Sequence, residues 1–158
     1  MANNNKKINY GLEVKKSFQI KDLKILINER KILIKININS HLYVFYIVFM
    51  YFLNIFLENL TNIYLVKIDS RMQIQKRKIS YISKDLINKS INDFLSYDYF
   101  IEILNEVNET DFYDSDSSFQ GEILGLEIRT KKEIILNENE EMLKINSLIK
   151  LKMNNLKE

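Results

Sequence analysis

The feature that most restricts the fold of this chain is the run at residues 42–57, in which every residue except Asn54 is aliphatic, aromatic or methionine. A helix that is apolar on every side is buried in a protein core or lies in a membrane. Because the run is shorter than the ~20 residues needed to cross a bilayer, we predict a buried central helix at about 42–59, with Ser40 as its N-cap. A membrane-associated segment and a buried strand are the alternatives for this run.

Residues that alternate between apolar and polar predict β-strands on both sides of the run. Short polar stretches separate these strands and are typical of hairpin connections. The predicted pairs are 23–27 with 32–38 across a four-residue loop at 28–31, 63–68 with 72–83 across the turn at 69–71, and 124–128 with 134–136.

Helical periodicity replaces this alternation from residue 84 onward. Two apolar stripes predict a helical pair over about 84–108, and we expect Ser96 or Asp98 to cap its second helix. Near the end of the chain, the spacing of Asn137 and Glu140 resembles a capping box and predicts a helix. An alternating stretch after it fits a strand instead, and of the two we predict the helix.

Together these segments predict the α+β fold class. The 158 residues have the length of one domain, so we expect a single domain over 1–158. Antiparallel β-hairpins would pack around the buried apolar helix (about 42–59), beside the helical pair (about 84–108).

Charge is distributed unevenly along the chain, although its formal net charge is only +2. Residues 1–89 are basic, with sixteen Lys or Arg and six acids, whereas residues 90–128 hold ten acids and no base; residues 129–158 are a mixed tail. The apolar stripe of the second helix faces the core, so its glutamates fall on the solvated face. The predicted partner-binding residues are Asp98, Glu102, Glu106, Glu109, Asp111, Asp114 and Asp116.

Residues of the common catalytic and metal sites are scarce in this sequence. The chain has no cysteine, which excludes disulfide scaffolds, thiol nucleophiles and cysteine-ligated metals. Its single histidine, His41, has no triad partner nearby, and its three glycines form no phosphate-binding array. We therefore predict a protein that is not an enzyme and that has no cofactor and no metal site.

These features favour a protein that acts by binding. A clustered acidic surface attracts a basic partner, and we predict an inhibitor that occupies the basic groove of a nuclease or a nucleic-acid-guided effector. Anti-CRISPR and other anti-defence proteins, and toxin-immunity proteins of mobile elements, share this physics. The abundance of Ile, Lys and Asn is typical of an AT-rich genome such as that of a phage or plasmid, and we expect a cytoplasmic protein.

Other hypotheses stay open. The acidic face would have a purely structural role if it balanced the basic half through salt bridges. The basic segment 67–89 would bind nucleic acid, although the pI of about 8.6 is modest for that role. Membrane association through 42–57 is a further alternative. The predicted nucleic-acid-binding residues are Arg71, Lys76, Arg77 and Lys78.

One enzymatic pattern is present in a weak form. Asp116, followed by Glu127 and Arg129 on a predicted strand, faintly resembles the acid and glutamate-x-lysine pattern of metal-dependent nucleases. Here arginine replaces the lysine, and arginine stays protonated and is poorly suited to act as a base. The pattern is short, and it makes a nuclease a remote alternative.

Overall fold

The computed structural model describes residues 14–80, 82, 95–105 and 119–156 of the chain. Across these described residues, six strands form one antiparallel sheet and three α-helices lie on one side of it. The strands are β1 (Lys16–Ile20), β2 (Leu23–Asn28), β3 (Lys31–Lys35), β4 (Leu60–Ile68), β5 (Ile74–Lys78) and β6 (Glu122–Thr130). The helices are α1 (Leu42–Ile55), α2 (Tyr97–Asn105) and α3 (Glu138–Leu156). This architecture confirms the predicted α+β class of antiparallel hairpins around an apolar helix.

The strands lie in the order β1-β2-β3-β6-β4-β5, and every neighbouring pair is antiparallel. β6, the last strand in the sequence, is therefore inserted between the two earlier hairpins. The backbones approach closely at this insertion, because a Cβ at Gly125 would lie 2.1 Å from the carbonyl oxygen of Ile34 on β3. Glycine is the residue that allows this approach.

α1 is the buried central helix that the apolar run predicts. Nine of its fourteen residues are buried, since it packs against β3 and against both α2 and α3. At 1.5 Å per residue its length is about 21 Å, which is less than the ~30 Å hydrocarbon core of a bilayer. Within the described part of the chain, no helix is long and apolar enough to span a membrane.

The two ends of α1 differ from the prediction. Its N-cap is His41, whose Nδ1 accepts a hydrogen bond from the Tyr43 N–H at 3.2 Å. Ser40 was predicted as the cap, but its hydroxyl accepts the N–H of Asn37 at 2.9 Å in the preceding turn instead. The α-helix ends at Ile55, and the chain continues as a short 3-10 helix at Leu57–Asn59.

Aromatic rings fill the space between α1 and α2. The ring centroid of Phe100 lies 5.5 Å from that of Phe45, 5.3 Å from Tyr46 and 5.7 Å from Phe49. These tilted and edge-on contacts are the arrangements that aromatic pairs favour. The sheet faces this layer with buried aliphatic side chains, namely Ile25, Ile27, Ile32, Ile34, Ile63, Leu65, Leu126 and Ile128.

Side-chain caps fix the N-termini of the other two helices. The Ser96 hydroxyl accepts the N–H of Tyr99 at 3.1 Å, which confirms one of the two caps predicted for α2. The Asn137 side chain accepts the N–H of Glu140 at 3.1 Å, and α3 confirms the predicted helix near the end of the chain. The first helix of the predicted pair lies outside the described residues.

Four local predictions about the strands are wrong, the first being the strand at 72–83, because β5 covers only Ile74–Lys78. Asn28 pairs with Lys31 in register, so the loop predicted at 28–31 is a two-residue turn in which Glu29 has a positive φ of 49°. β3 ends at Lys35 instead of continuing to 38. The strand predicted at 134–136 is irregular, because the positions beside β6 are already taken by β3 and β4.

The far face is the side of the sheet away from the three helices. A small buried cluster of Leu26, Leu33, Val66 and Leu124 lies at its centre, with Tyr64, Ile68 and Ile74 packed around it. The far face differs from the helix-covered face because charged side chains from several strands surround this cluster.

Candidate interaction surfaces

α2 carries the described part of the predicted acidic surface. Phe100, Ile103 and Leu104 are buried, so the opposite side of the helix carries the carboxylates. Asp98 is exposed in the first turn, where the helix dipole favours a negative charge. Glu102 is half-buried one turn later and therefore lies on the same side as Asp98.

The carboxylates of α2 make a small contribution to the raised pKa values of the two tyrosines on the same helix. Burial, and to a lesser degree the charge of Glu102, raise the pKa of Tyr99. Burial raises the pKa of Tyr97 as well, with smaller effects from Tyr43 and Asp98. The structure thus brings Asp98 and Glu102 together, whereas the other five predicted partner-binding residues lie outside the described residues: Glu106, Glu109, Asp111, Asp114 and Asp116.

The predicted nucleic-acid-binding run does not form one patch. β5 is an edge strand, and successive side chains of a strand point to opposite faces. Lys76 and Lys78 belong to the far face, whereas the guanidinium of Arg77 lies 4.5 Å from the ring centroid of Phe119, which belongs to the helix-side core. Arg71 lies in the β4–β5 turn, 3.9 Å from Asp69.

A buried carboxylate joins two of the far-face cations. Glu127 has no exposed surface; its Oε1 lies 2.8 Å from the Lys76 ammonium and its Oε2 lies 2.6 Å from Nε of Arg129. The guanidinium carbon of Arg129 lies 4.1 Å from the ring centroid of Tyr64. We call these four residues the Glu127 cluster. A buried carboxylate needs such partners, because an unpaired buried charge is strongly destabilising.

Only part of the Glu127 cluster was visible in the sequence. The i, i+2 spacing of Glu127 and Arg129 on a strand places both on one face. The contact with Lys76 depends on the insertion of β6 beside β4, which links residues 51 positions apart. No local pattern contains that information.

The structure describes two of the three residues of the nuclease-like pattern, Glu127 and Arg129. Each carboxylate oxygen of Glu127 already accepts a hydrogen bond from a cation, one of them Arg129, and Asp116 lies outside the described residues. In the described ranges no group of three His, Cys, Asp or Glu side chains could hold a metal ion.

A cleft of about 380 Å³ lies between α1, α3 and the segment that joins β6 to α3. The Tyr51 hydroxyl donates a hydrogen bond to the carboxylate of Glu141, which is almost fully buried. Burial, followed by this hydrogen bond, raises the pKa of Tyr51. Lys132 and Lys144 also line the cleft. The Tyr51–Glu141 bond joins α1 to α3 and explains why a carboxylate is buried here.

No protein-family model matches the chain, and no curated protein and no solved structure was found to be similar to it.

Proposed function

We propose that this chain is a non-enzymatic inhibitor that acts in the cytoplasm by binding another protein. Its predicted partner-binding acids, from Asp98 to Asp116, would occupy a basic groove of the partner. The partner would be a nuclease or a nucleic-acid-guided effector, whose groove otherwise holds phosphates. This is the mode of action of an anti-defence or toxin-immunity protein.

The observation that carries the proposal is the segregation of charge. Ten carboxylates and no base lie between residues 90 and 128, in a chain whose net charge is +2. Carboxylates at i, i+4 on a helix repel one another, so stability alone gives no reason to exclude lysine from the segment. A surface that must meet a positively charged groove does give such a reason.

The geometry of α2 supports the same proposal. Its apolar side is held in the core by Phe100, and its Ser96 cap fixes where the helix begins. Asp98 and Glu102 are therefore presented from a rigid element. Preformed charge on a rigid element lowers the entropic cost of association.

Some of the cations of the basic half are engaged locally. Lys15 lies 3.1 Å from Glu29, and Arg71 lies 3.9 Å from Asp69. These pairs involve acids that lie outside the segment 90–128. Lys76 pairs instead with the buried Glu127 of that segment, so Glu127 is not part of the proposed docking surface.

The test is affinity capture from the source cell, with mass spectrometry of the retained proteins. The variant reverses four acids of the segment to lysine, and the control reverses four acids elsewhere, so both change the net charge equally. The variant is Glu106→Lys, Glu109→Lys, Asp111→Lys and Asp114→Lys; the control is Asp22→Lys, Glu58→Lys, Glu133→Lys and Glu140→Lys.

We expect the wild-type chain and the control to retain a nucleic-acid-binding protein that excess duplex DNA releases. The variant should retain it about tenfold less or worse, because electrostatic complementarity is lost. Capture by the variant at the wild-type level would refute the proposal. Circular dichroism of all three proteins shows whether each is folded.

A further inference from the structure

Strand register and one contact between a guanidinium and a ring place four residues in an oblique line across the far face, in an order that the sequence does not show. Lys31 on β3 lies directly opposite Arg129 on β6. Arg129 covers the ring of Tyr64 on β4, and Tyr64 lies directly opposite Lys78 on β5. We call Lys31, Arg129, Tyr64 and Lys78 the far-face row.

The two ends of the far-face row are available cations. Lys78 is exposed and Lys31 is half-buried, and neither is ion-paired with any other described residue. The row crosses from β3 through β6 and β4 to β5. Three strand spacings of about 4.8 Å, together with the shift of two residues between Arg129 and Tyr64, separate its ends by about 16 Å.

The centre of the far-face row is held in a fixed geometry. Glu127 accepts a hydrogen bond from Nε of Arg129, and Nη1 of Arg129 lies 3.5 Å from the Tyr64 hydroxyl. The guanidinium is therefore held over the Tyr64 ring by contacts from two directions. An arginine plane fixed in this way is a surface on which a nucleobase stacks.

The charge pattern of the row is costly for folding alone. Like charges that lie directly opposite each other on neighbouring strands are destabilising, and Lys31 and Arg129 form such a pair, in which only Arg129 has a carboxylate partner. Binding of phosphate groups would offset this repulsion.

We propose that the far-face row is a binding site for single-stranded nucleic acid. The ammonium groups of Lys31 and Lys78 bind phosphates, and one base stacks on the Arg129 guanidinium, which lies over Tyr64. A fixed aromatic and guanidinium stack between two lysines favours this occupant, since stacking on bases accompanies phosphate contacts in single-strand binding. The proposed site is distinct from the acidic segment, and neither proposal depends on the other.

The probe is a fluorescent single-stranded RNA or DNA of about twelve nucleotides, and its anisotropy is measured from about 50 to about 200 mM salt. With two phosphate contacts, the slope of log K against log salt should be about −1.4. The double variant Lys31→Gln and Lys78→Gln should weaken binding about tenfold or more at the lowest salt and bring the slope close to zero.

The matched control is the double variant Lys132→Gln and Lys144→Gln, which changes the charge equally at the cleft beside α3. It should bind like the wild-type chain. Arg129→Lys keeps the charge but removes the guanidinium plane, so it should weaken binding about tenfold while the slope is unchanged. Circular dichroism confirms that each variant is folded.

Three results would overturn the proposal. The first is the absence of binding to either strand at the lowest salt. The second is an equal loss of affinity in the two double variants, which would indicate a general effect of charge. The third is displacement of the strand by polyglutamate as effectively, charge for charge, as by unlabelled RNA, which would assign the surface to acidic polypeptides.

Discussion

Neighbouring residues of β3 show how differently the two faces of the sheet are built. Ile34 points into the aromatic layer of α1 and α2, whereas Leu33 points to the far face, where it lies opposite Glu127 in register. Both side chains are fully buried. One side of the same strand thus packs into the large apolar core, and the other packs into a small apolar cluster on the face that holds the Glu127 carboxylate and its two cations.

We infer from this difference that the helix-covered face supplies most of the stability and that the far face carries the proposed binding site. Burial of apolar area dominates the free energy of folding, and most of it lies on the helix-covered face. A buried ion pair contributes little net stability compared with apolar residues of the same shape. The far face therefore retains charges that the fold does not need, and we attribute them to binding.

The largest expected loss of stability comes from truncating a buried side chain on the helix-covered face, and truncating its neighbour on the far face gives the comparison. Ile34→Ala should lower the free energy of unfolding by about 4 kcal/mol, because the cavity beneath α1 is walled by packed rings and cannot collapse. Leu33→Ala should cost about 2 to 3 kcal/mol, since its cluster has only four buried members and can collapse further around the cavity. Urea denaturation measures both, and equal losses would show that the faces are equally rigid.

A second substitution probes the buried carboxylate. Glu127→Gln leaves Lys76 and Arg129 without their counter-charge, and we expect a loss of about 2 to 3 kcal/mol, because breaking a buried pair is costly. Replacing Lys76, Glu127 and Arg129 together by Met, Leu and Met should recover most of the lost stability. If the triple variant were as unstable as the single one, the charges of the Glu127 cluster would themselves stabilise the far face.

Alkaline pH acts on the helix-covered face. Burial, with a smaller effect of Tyr43, raises the pKa of Tyr46 to about 12, and its hydroxyl donates to the carbonyl of Leu95. A tyrosine in the unfolded chain has a pKa of about 10. The resulting stabilisation is complete below pH ~10 and is lost as the pH rises toward 12.

The free energy of unfolding should therefore fall by about 1 to 2 kcal/mol between pH ~10 and ~12. Tyr46→Phe should start lower, because it loses the hydrogen bond, and should decline less over the same range. Denaturation in a series of alkaline buffers measures both slopes. Identical slopes for the two proteins would show that Tyr46 does not titrate in this way.

The smallest expected effect on stability concerns the cap of α3. Asn137→Ala removes the side chain that accepts the Glu140 N–H and should cost about 1 kcal/mol. Asn137→Ser keeps an acceptor and should cost only a few tenths. Thermal unfolding distinguishes the two variants, and an equal loss in both would mean that the cap hydrogen bond is not the cause.

The sequence was most informative where structure is local. The apolar run produced α1, and the spacing of Asn137 and Glu140 identified the start of α3, because helix hydrogen bonds and caps join residues three or four apart. β1 was not predicted, since only Phe18 and Ile20 of its five residues are buried and so short an alternation is a weak signal.

Long-range pairing explains what local patterns could not supply. The insertion of β6 beside β3 and β4 left no position for a strand at 134–136 and placed Lys76 against Glu127. Because successive side chains of a strand alternate between its faces, Lys76 and Lys78 lie on one face of β5 and Arg77 on the other. A count of charges along the sequence does not show this division. For the acidic surface, the structure positions Asp98 and Glu102 on α2.

The buried Glu127 neutralises Lys76 and Arg129 of its own chain, whereas we infer that the predicted partner-binding carboxylates between Asp98 and Asp116 serve a partner. The most direct measurement is the free energy of unfolding of the variant Glu106→Lys, Glu109→Lys, Asp111→Lys and Asp114→Lys. We predict a value within about 0.5 kcal/mol of the wild-type chain, as for surface substitutions without structural partners. A loss of about 2 kcal/mol or more would contradict the account, because these carboxylates would then be holding cations of the fold itself.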